Sequence, residues 1–167
     1  MLGELEVIKE FEGVEVRWAP ASMRSRGLLC AGSAELLHPI FGWCIGHTIM
    51  VDKMFYAADR SAQKFFLLHE IGHIKAGDLK SDVVKSAMGV AETHLEHGLH
   101  PMEAAADRYA MDRCTVEELK ATYRAFLDLA ILSIIAPGLK DTRIRAKLVR
   151  EEIRKRKKAK KLAAIVA

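Results

Sequence analysis

Two histidines four residues apart, His69 and His73, enclose a glutamate in the pentapeptide His-Glu-Ile-Gly-His at positions 69–73. The surrounding run predicts a helix, and helical residues four apart project from one face, about 6 Å apart along the axis. Two imidazoles so placed can bind one Zn²⁺ at about 2.0–2.1 Å and leave positions for a third protein ligand and a water. Glu70 leans toward the same edge, where it can polarise that water. The alternative is a chance match between ordinary histidines and a short pattern.

The helix that carries the pentapeptide is apolar on most of its sides, which predicts that it is buried in the centre of the domain. Histidine and glutamate are costly to bury without partners, and a bound metal ion supplies that partner. The composition of this helix therefore favours a metal site over surface histidines. Its apolar residues are Phe65, Phe66, Leu67, Leu68, Ile71 and Ile74.

A third ligand is available on a helix predicted from Met102 to Arg113. Glu103 and Asp107 are four residues apart on it, so one carboxylate can bind the metal while the other accepts a hydrogen bond from a ligating histidine. The three alanines between them have almost no bulk, which would let this helix approach the motif helix closely. The alternative is a solvated acidic edge paired with Arg108 or Arg113.

Together these two motifs resemble the gluzincin metallopeptidases, which carry H-E-x-x-H on one helix and a glutamate within E-x-x-x-D or E-x-x-x-N on a later one. Residues 66–74, Phe-Leu-Leu-His-Glu-Ile-Gly-His-Ile, are especially similar to IrrE/ImmA-type peptidases and to the catalytic core of HtpX-like enzymes. The resemblance covers about residues 48–110. A looser likeness extends to Arg143 and Ile144, because HtpX-like cores carry an Arg-Ile pair on a late helix.

The resemblance implies that His69, His73 and Glu103 bind zinc, that Glu70 is the catalytic carboxylate, and that Asp107 supports a ligating histidine. The sequence departs from HtpX-like enzymes because it has no membrane helices. It departs from many IrrE-type regulators because it has no room for an additional sensor or DNA-binding domain. Substrate and regulatory role therefore do not carry over.

The same likeness implies a substrate-binding strand just before the motif helix. An extended peptide would pair with the edge of residues 47–51, with Thr48, Ile49 and Met50 as the substrate-binding residues.

A developing oxyanion usually needs a further hydrogen-bond donor. The sequence alone does not identify this donor among several candidates, although the family likeness favours Arg143 as a catalytic residue. We interpret His38 and His47 as structural. The candidate donors are His94, His97, His100, Tyr109 and Arg143.

The length of 167 residues predicts one domain with its own core, over residues 1–150, followed by a basic helix end or tail over residues 151–167. The three cysteines form no C-x-x-C pair, so they are expected to be small buried residues in a reducing compartment. No secretory signal or membrane-spanning stretch is present, which predicts a soluble cytoplasmic protein without membrane contact.

Hydrophobic periodicity predicts an α+β fold: a mostly helical, zincin-like minimal metallopeptidase core with a small N-terminal sheet of about three strands. A helix is expected over residues 2–11, and strands over residues 14–18, 35–38 and 47–51. Further helices are expected over residues 61–76, 82–96, 102–113 and 115–135, and from residue 141 into the basic tail. Their start signals include Ser61 as an N-terminal cap, Pro101 in a first turn, and a capping box formed by Thr115 and Glu118.

The net charge of +4 is concentrated in the run from Arg154 to Lys161, which we interpret as a solvated helix end or a frayed tail. The alternative is contact with nucleic acid or with another acidic partner. No aromatic residue interleaves with these cations, which argues against a base-stacking platform.

The main hypothesis is a zinc-dependent peptidase that hydrolyses peptide bonds of a protein or peptide substrate with an activated water, Glu70 acting as general base. The first alternative is a non-catalytic, zinc-containing binding or regulatory protein. Another is a nucleic-acid-associated protein that binds through its basic C-terminus. The sequence leaves open the substrate, the cleavage specificity and the oligomeric state.

Overall fold

A computed structural model covers all 167 residues, and the structure describes residues 9–19, 31–37, 44–77, 99–132 and 141–166. The described part is mostly helical with one small sheet, as expected for the predicted α+β class. The strands are β1 (Glu10–Phe11), β2 (Val14–Trp18), β3 (Ala31–Leu37) and β4 (Cys44–Val51). The helices are α1 (Lys53–Ala57), α2 (Arg60–Ala76), α3 (Pro101–Arg113), α4 (Val116–Leu132) and α5 (Thr142–Val166).

The sheet has the order β1-β2-β4-β3, with β4 parallel to β2 and antiparallel to β3. Its four strands replace the three expected, because Glu10 and Phe11 pair with β2 instead of ending the predicted N-terminal helix. The chain reverses through Glu12 and Gly13, both with positive φ, so local turn geometry prevails over helical periodicity here. Residues 2–8 of that predicted helix lie outside the described residues.

Strand β4 lies in the interior of the sheet, which corrects the role predicted for Thr48, Ile49 and Met50. All three are paired with β2 on one side and with β3 on the other, so their backbone groups are not free to receive a peptide. The side chains of Thr48 and Ile49 are buried, and the Thr48 hydroxyl donates to the Glu15 carbonyl at 3.1 Å. Substrate cannot add to β4 by edge pairing.

Helix α2 is buried along nearly its whole length, from Ala62 to His73, as its composition predicts. Asp59, not the expected Ser61, caps its N-terminus: the Asp59 carboxylate accepts from the Ser61 amide at 2.8 Å. At the other end Gly77 takes the left-handed conformation with φ 72°, and its amide donates to the His73 and Ile74 carbonyls. The helix is thus fixed at both ends around the pentapeptide.

Helices α3 and α4 begin with the signals predicted for them. Pro101 occupies the first turn of α3. Thr115 and Glu118 form a reciprocal capping box before α4, with each side chain accepting from the other residue's amide, at 3.3 Å and 2.6 Å. The expected helix over residues 82–96 lies outside the described residues, as do residues 133–140.

Helix α5 continues without a break past residue 150, the predicted end of the domain. Ile153 is part of the hydrophobic core. The Arg156 guanidinium donates to the Cys114 and Met111 carbonyls, at 2.6 Å and 2.8 Å, and so satisfies acceptors at the C-terminal end of α3. The domain body therefore extends at least to Arg156. Among the described helices, none is both long and apolar enough to cross a bilayer.

Candidate metal centre

Helices α2 and α3 bring His69, His73 and Glu103 together. The two imidazole Nε2 atoms are 3.1 Å apart. Each of them lies 3.3 Å from a different oxygen of the Glu103 carboxylate. His69 and His73 are buried and Glu103 is partly exposed, so the cluster has one side open. These residues form a group that could hold a metal ion.

The spacing of these atoms is close to that of ligands that share one ion. Two ligands of a tetrahedral zinc ion, each at about 2.0–2.1 Å, lie roughly 3.3–3.4 Å apart. The two Nε2 atoms are 3.1 Å apart, and each lies 3.3 Å from its own Glu103 oxygen, so the two nitrogens face different oxygens of the carboxylate. Imidazole and carboxylate are also both ligand types that zinc accepts.

Asp107 fixes the orientation of the His69 ring. One of its carboxylate oxygens lies 2.9 Å from His69 Nδ1, and the side chain is 1% exposed. Because a carboxylate can only accept, His69 Nδ1 carries a proton toward Asp107, and Nε2 is the nitrogen that faces Glu103 and could bind a metal. The sequence left open which of Glu103 and Asp107 binds metal, and the structure places Glu103 at Nε2 and Asp107 at Nδ1.

Arg145 of α5 completes this arrangement, and sequence reasoning missed it. Its Nε donates to one Asp107 oxygen at 2.9 Å, and its Nη2 donates to the other. The guanidinium lies over the Phe126 ring at 4.7 Å from the centroid, and Nη2 is 3.1 Å from His69 Nδ1. Arg145 and the His69 ring therefore donate to the same buried carboxylate, and a residue of α5 supports the site formed by α2 and α3.

Burial and charge oppose one another in the ionisation of this cluster. Burial alone would raise the pKa of Glu103, but hydrogen bonds from His69 and His73 lower it well below its usual range. Burial likewise opposes ionisation of Asp107, yet the charge of Arg145 and the hydrogen bond from His69 lower its pKa. Both carboxylates are therefore ionised near neutral pH, as metal coordination and imidazole orientation require.

Glu70 is buried on α2 at 6% exposure, beside the two histidines of its own helical turn. Burial would lower the pKa of Arg145, but the negative charges of Asp107, Glu103 and Glu70 keep it above the ordinary value. Glu70 thus lies within electrostatic reach of the Arg145 guanidinium.

Gly72 permits the close approach of α2 and α3 on which the site depends. A Cβ at Gly72 would lie 3.0 Å from the Cα and 3.4 Å from the Cβ of Ala106, and 3.3 Å from the Cβ of Tyr109. The close contact between the helices therefore depends on small residues on both sides: the alanines predicted on α3, and Gly72 of the pentapeptide on α2.

Arg143, the predicted catalytic residue on the late helix, does not lie at the site. Its side chain is exposed on α5, and no described hydrogen bond or ion pair joins it to the cluster. Two residues along a helix correspond to a rotation of about 200°, so Arg143 and Arg145 project from nearly opposite faces. The structure therefore assigns the inward position to Arg145.

The other described candidates have hydrogen bonds elsewhere or lie in the sheet, and the rest fall outside the described residues. Tyr109 accepts at its hydroxyl from Lys75 at 2.7 Å, and His100 caps α3 by accepting from the Met102 amide at 3.4 Å. His94, His97 and His38 fall outside the described residues, and His47 is a partly buried residue of β4.

Comparison with protein-family models, with curated proteins and with solved structures finds no match to this chain.

Proposed function

We propose that this protein is a zinc-dependent peptidase. The observation that supports this most directly is the convergence of His69, His73 and Glu103 within reach of one ion, with Glu70 buried on the same turn of α2 as the two histidines. A structural site is typically closed by four protein ligands, whereas a catalytic site keeps one position open. Among the described residues only these three ligands converge, and Glu103 is on the open side.

Bound zinc supplies Lewis acidity toward a water and a substrate carbonyl. Glu70 accepts the proton of that water as it attacks the carbonyl carbon, and delivers it to the amine that departs when the peptide bond breaks. Asp107 accepts a hydrogen bond from His69 Nδ1 and so keeps Nε2 of that ring directed at the metal position. Arg145 holds Asp107 in place by two hydrogen bonds.

The substrate would pair with β3 instead of β4. β3 is the terminal strand on its side of the described sheet, and it pairs with β4 through only one of its two edges. It also packs against α2, which carries the pentapeptide. An extended peptide added beside β3 would place its backbone parallel to the sheet and close to the motif helix.

The decisive experiment combines metal analysis with a single conservative variant. We expect the purified protein to contain about one zinc per chain by elemental analysis, and to cleave a library of unfolded peptides, with loss of cleavage on chelation. Glu70→Gln should retain zinc, because Glu70 is not a ligand, and lose cleavage by about 10²–10⁴-fold, the usual contribution of a general base. Glu151→Gln, an exposed carboxylate on α5, is the control and should cleave normally.

Each outcome has a defined meaning. Cleavage by Glu70→Gln at the wild-type rate, with zinc retained, would refute the assigned role of Glu70. Zinc in both proteins without cleavage by either would favour a metal that only stabilises the fold. Absence of bound zinc after reconstitution would contradict the metal site itself.

A further inference from the structure

Helix α5 presents a continuous row of positive charge to solvent. Successive residues of an α-helix are rotated by about 100° around its axis. Within one sector of about 100° on α5, all the residues from position 143 to position 161 are arginine or lysine. We call this row the cationic stripe. All of its members are exposed, and they are Arg143, Lys147, Arg150, Arg154, Lys157, Lys158 and Lys161.

The structure separates these residues from two other cations of the same helix. Arg145 points to Asp107, and Arg156 is held by the carbonyls at the end of α3 and by Glu152. The buried residues Ala146, Val149 and Ile153 face the core. The stripe is therefore a property of the folded helix and begins well before the basic run that is conspicuous in the sequence.

The dimensions of the stripe match a regular polyanion. From Arg143 to Lys161 it extends about 27 Å at a rise of 1.5 Å per residue, with a cation every three or four residues, roughly 5–6 Å apart. Duplex nucleic acid presents one negative charge per about 1.7 Å of its axis, and non-specific binding depends almost entirely on neutralising such phosphates. The only two carboxylates of α5 are Glu151, beside the stripe, and Glu152, which pairs with Arg156.

We propose that the cationic stripe binds the phosphate backbone of double-stranded nucleic acid without reading its sequence. Helix α5 contains no aromatic residue, so it offers no stacking platform for unpaired bases, which favours a duplex over a single strand. A membrane-surface helix combines its cations with an apolar face. Here the exposed apolar side chains, Leu162 and Ile165, lie beyond the last member of the stripe. This interaction is independent of the proposed peptidase chemistry.

The test compares two variants of the full chain that remove the same charge. Arg154, Lys158 and Lys161 are changed to glutamine in the first, and the exposed residues Lys9, Lys53 and Arg124 in the control. Binding to a 24-base-pair duplex of mixed sequence is measured by fluorescence anisotropy between 50 and 200 mM salt. We expect the stripe variant to bind at least about tenfold more weakly at 50 mM, with a salt slope smaller by roughly two to three, since each phosphate contact contributes about 0.9. The control variant should bind like wild type.

Several results would overturn the proposal. Equal affinity and equal salt slope for the stripe variant and wild type would do so, as would equal losses in both variants. Binding to vesicles containing phosphatidylserine but not to the duplex would identify an anionic membrane as the partner. Failure of wild type to bind either at 50 mM salt would show the stripe to be merely solvated. Urea unfolding of each variant establishes that the fold is retained.

Discussion

Replacing Gly72 by alanine tests whether the metal centre depends on the distance between α2 and α3. The added Cβ would lie 3.0 Å from the Ala106 Cα, a backbone atom that cannot rotate away. Non-bonded carbon atoms pack at about 3.5–4.0 Å, so the two helices must separate locally by roughly 0.5–1 Å. Metal sites tolerate changes of only about 0.2 Å in ligand distance. The substitution should therefore disturb the position of Glu103 relative to the two histidines.

Two opposing effects set the change in stability. Overpacking costs about 1–3 kcal/mol, whereas replacing glycine by alanine within a helix gains about 0.5–1 kcal/mol. We expect a net loss of about 0.5–2 kcal/mol for the metal-free protein, measured by urea unfolding. Zinc affinity should fall further, by about 10–100-fold, the range found when groups that orient metal ligands are disturbed. Competition with a chromophoric chelator measures that affinity.

Ala76→Ser serves as the control, because it adds one heavy atom to an exposed position near the end of the same helix. It should leave zinc affinity unchanged. Our account of the helix contact is refuted if Gly72→Ala binds zinc as tightly as wild type. A larger side chain, as in Gly72→Ser, should weaken binding at least as much as alanine does.

Three further predictions concern the groups around the site. Arg145→Met leaves Asp107 buried without its cation and should lower the free energy of unfolding, measured in urea, by about 3–5 kcal/mol. The double variant that also carries Asp107→Leu should recover part of that loss. If the losses from the two substitutions simply add, the pairing of Arg145 with Asp107 is contradicted. Arg156→Gln should lower the free energy of unfolding by about 1–3 kcal/mol, because it leaves the carbonyls of Met111 and Cys114 without their donor. The control Lys157→Gln, at an exposed position, should leave the free energy of unfolding almost unchanged. Equal effects of the two substitutions would contradict the capping role of Arg156. Burial raises the pKa of the Cys114 thiol from 9.0 to about 11, so its thiolate fraction near pH 8 is about 100-fold lower. In a variant with Cys30 and Cys44 changed to alanine, iodoacetamide should therefore modify Cys114 at least that much more slowly than a free thiol, and comparable rates would contradict its burial.

Local periodicity was sufficient to predict which side chains come together at the candidate metal centre. His69, His73, Glu103 and Asp107 are related in pairs by four-residue steps, and such steps place side chains on one helical face whatever the rest of the fold does. Apolar composition predicted that α2 would be buried, and Pro101 and the Thr115 capping box predicted where the next helices begin. Each of these signals lies within about one or two turns of chain.

The features that the sequence did not reveal depend on pairings between distant segments. The position of β4 between β2 and β3 is set by pairing with strands that are distant in the sequence. The alternation of apolar and polar residues within 47–51 does not indicate which strands lie on either side. The family likeness drew attention to Arg143, but the rotation of α5 against α4 places Arg145 inward. Arg156 looks like any other member of its basic run until its contacts with the end of α3 are known.

The two parts of α5, one packed against the domain and one exposed, limit where the chain can be shortened or extended. Up to Arg156 the helix stabilises the fold, because its side chains pack in the core and cap the C-terminal end of α3. From Lys157 to Ile165 every side chain is in solvent. Fusion partners, affinity tags or fluorophores joined after residue 156 should therefore leave the geometry of the candidate metal centre intact. Removing even one more turn before that point would loosen the helix that carries Glu103.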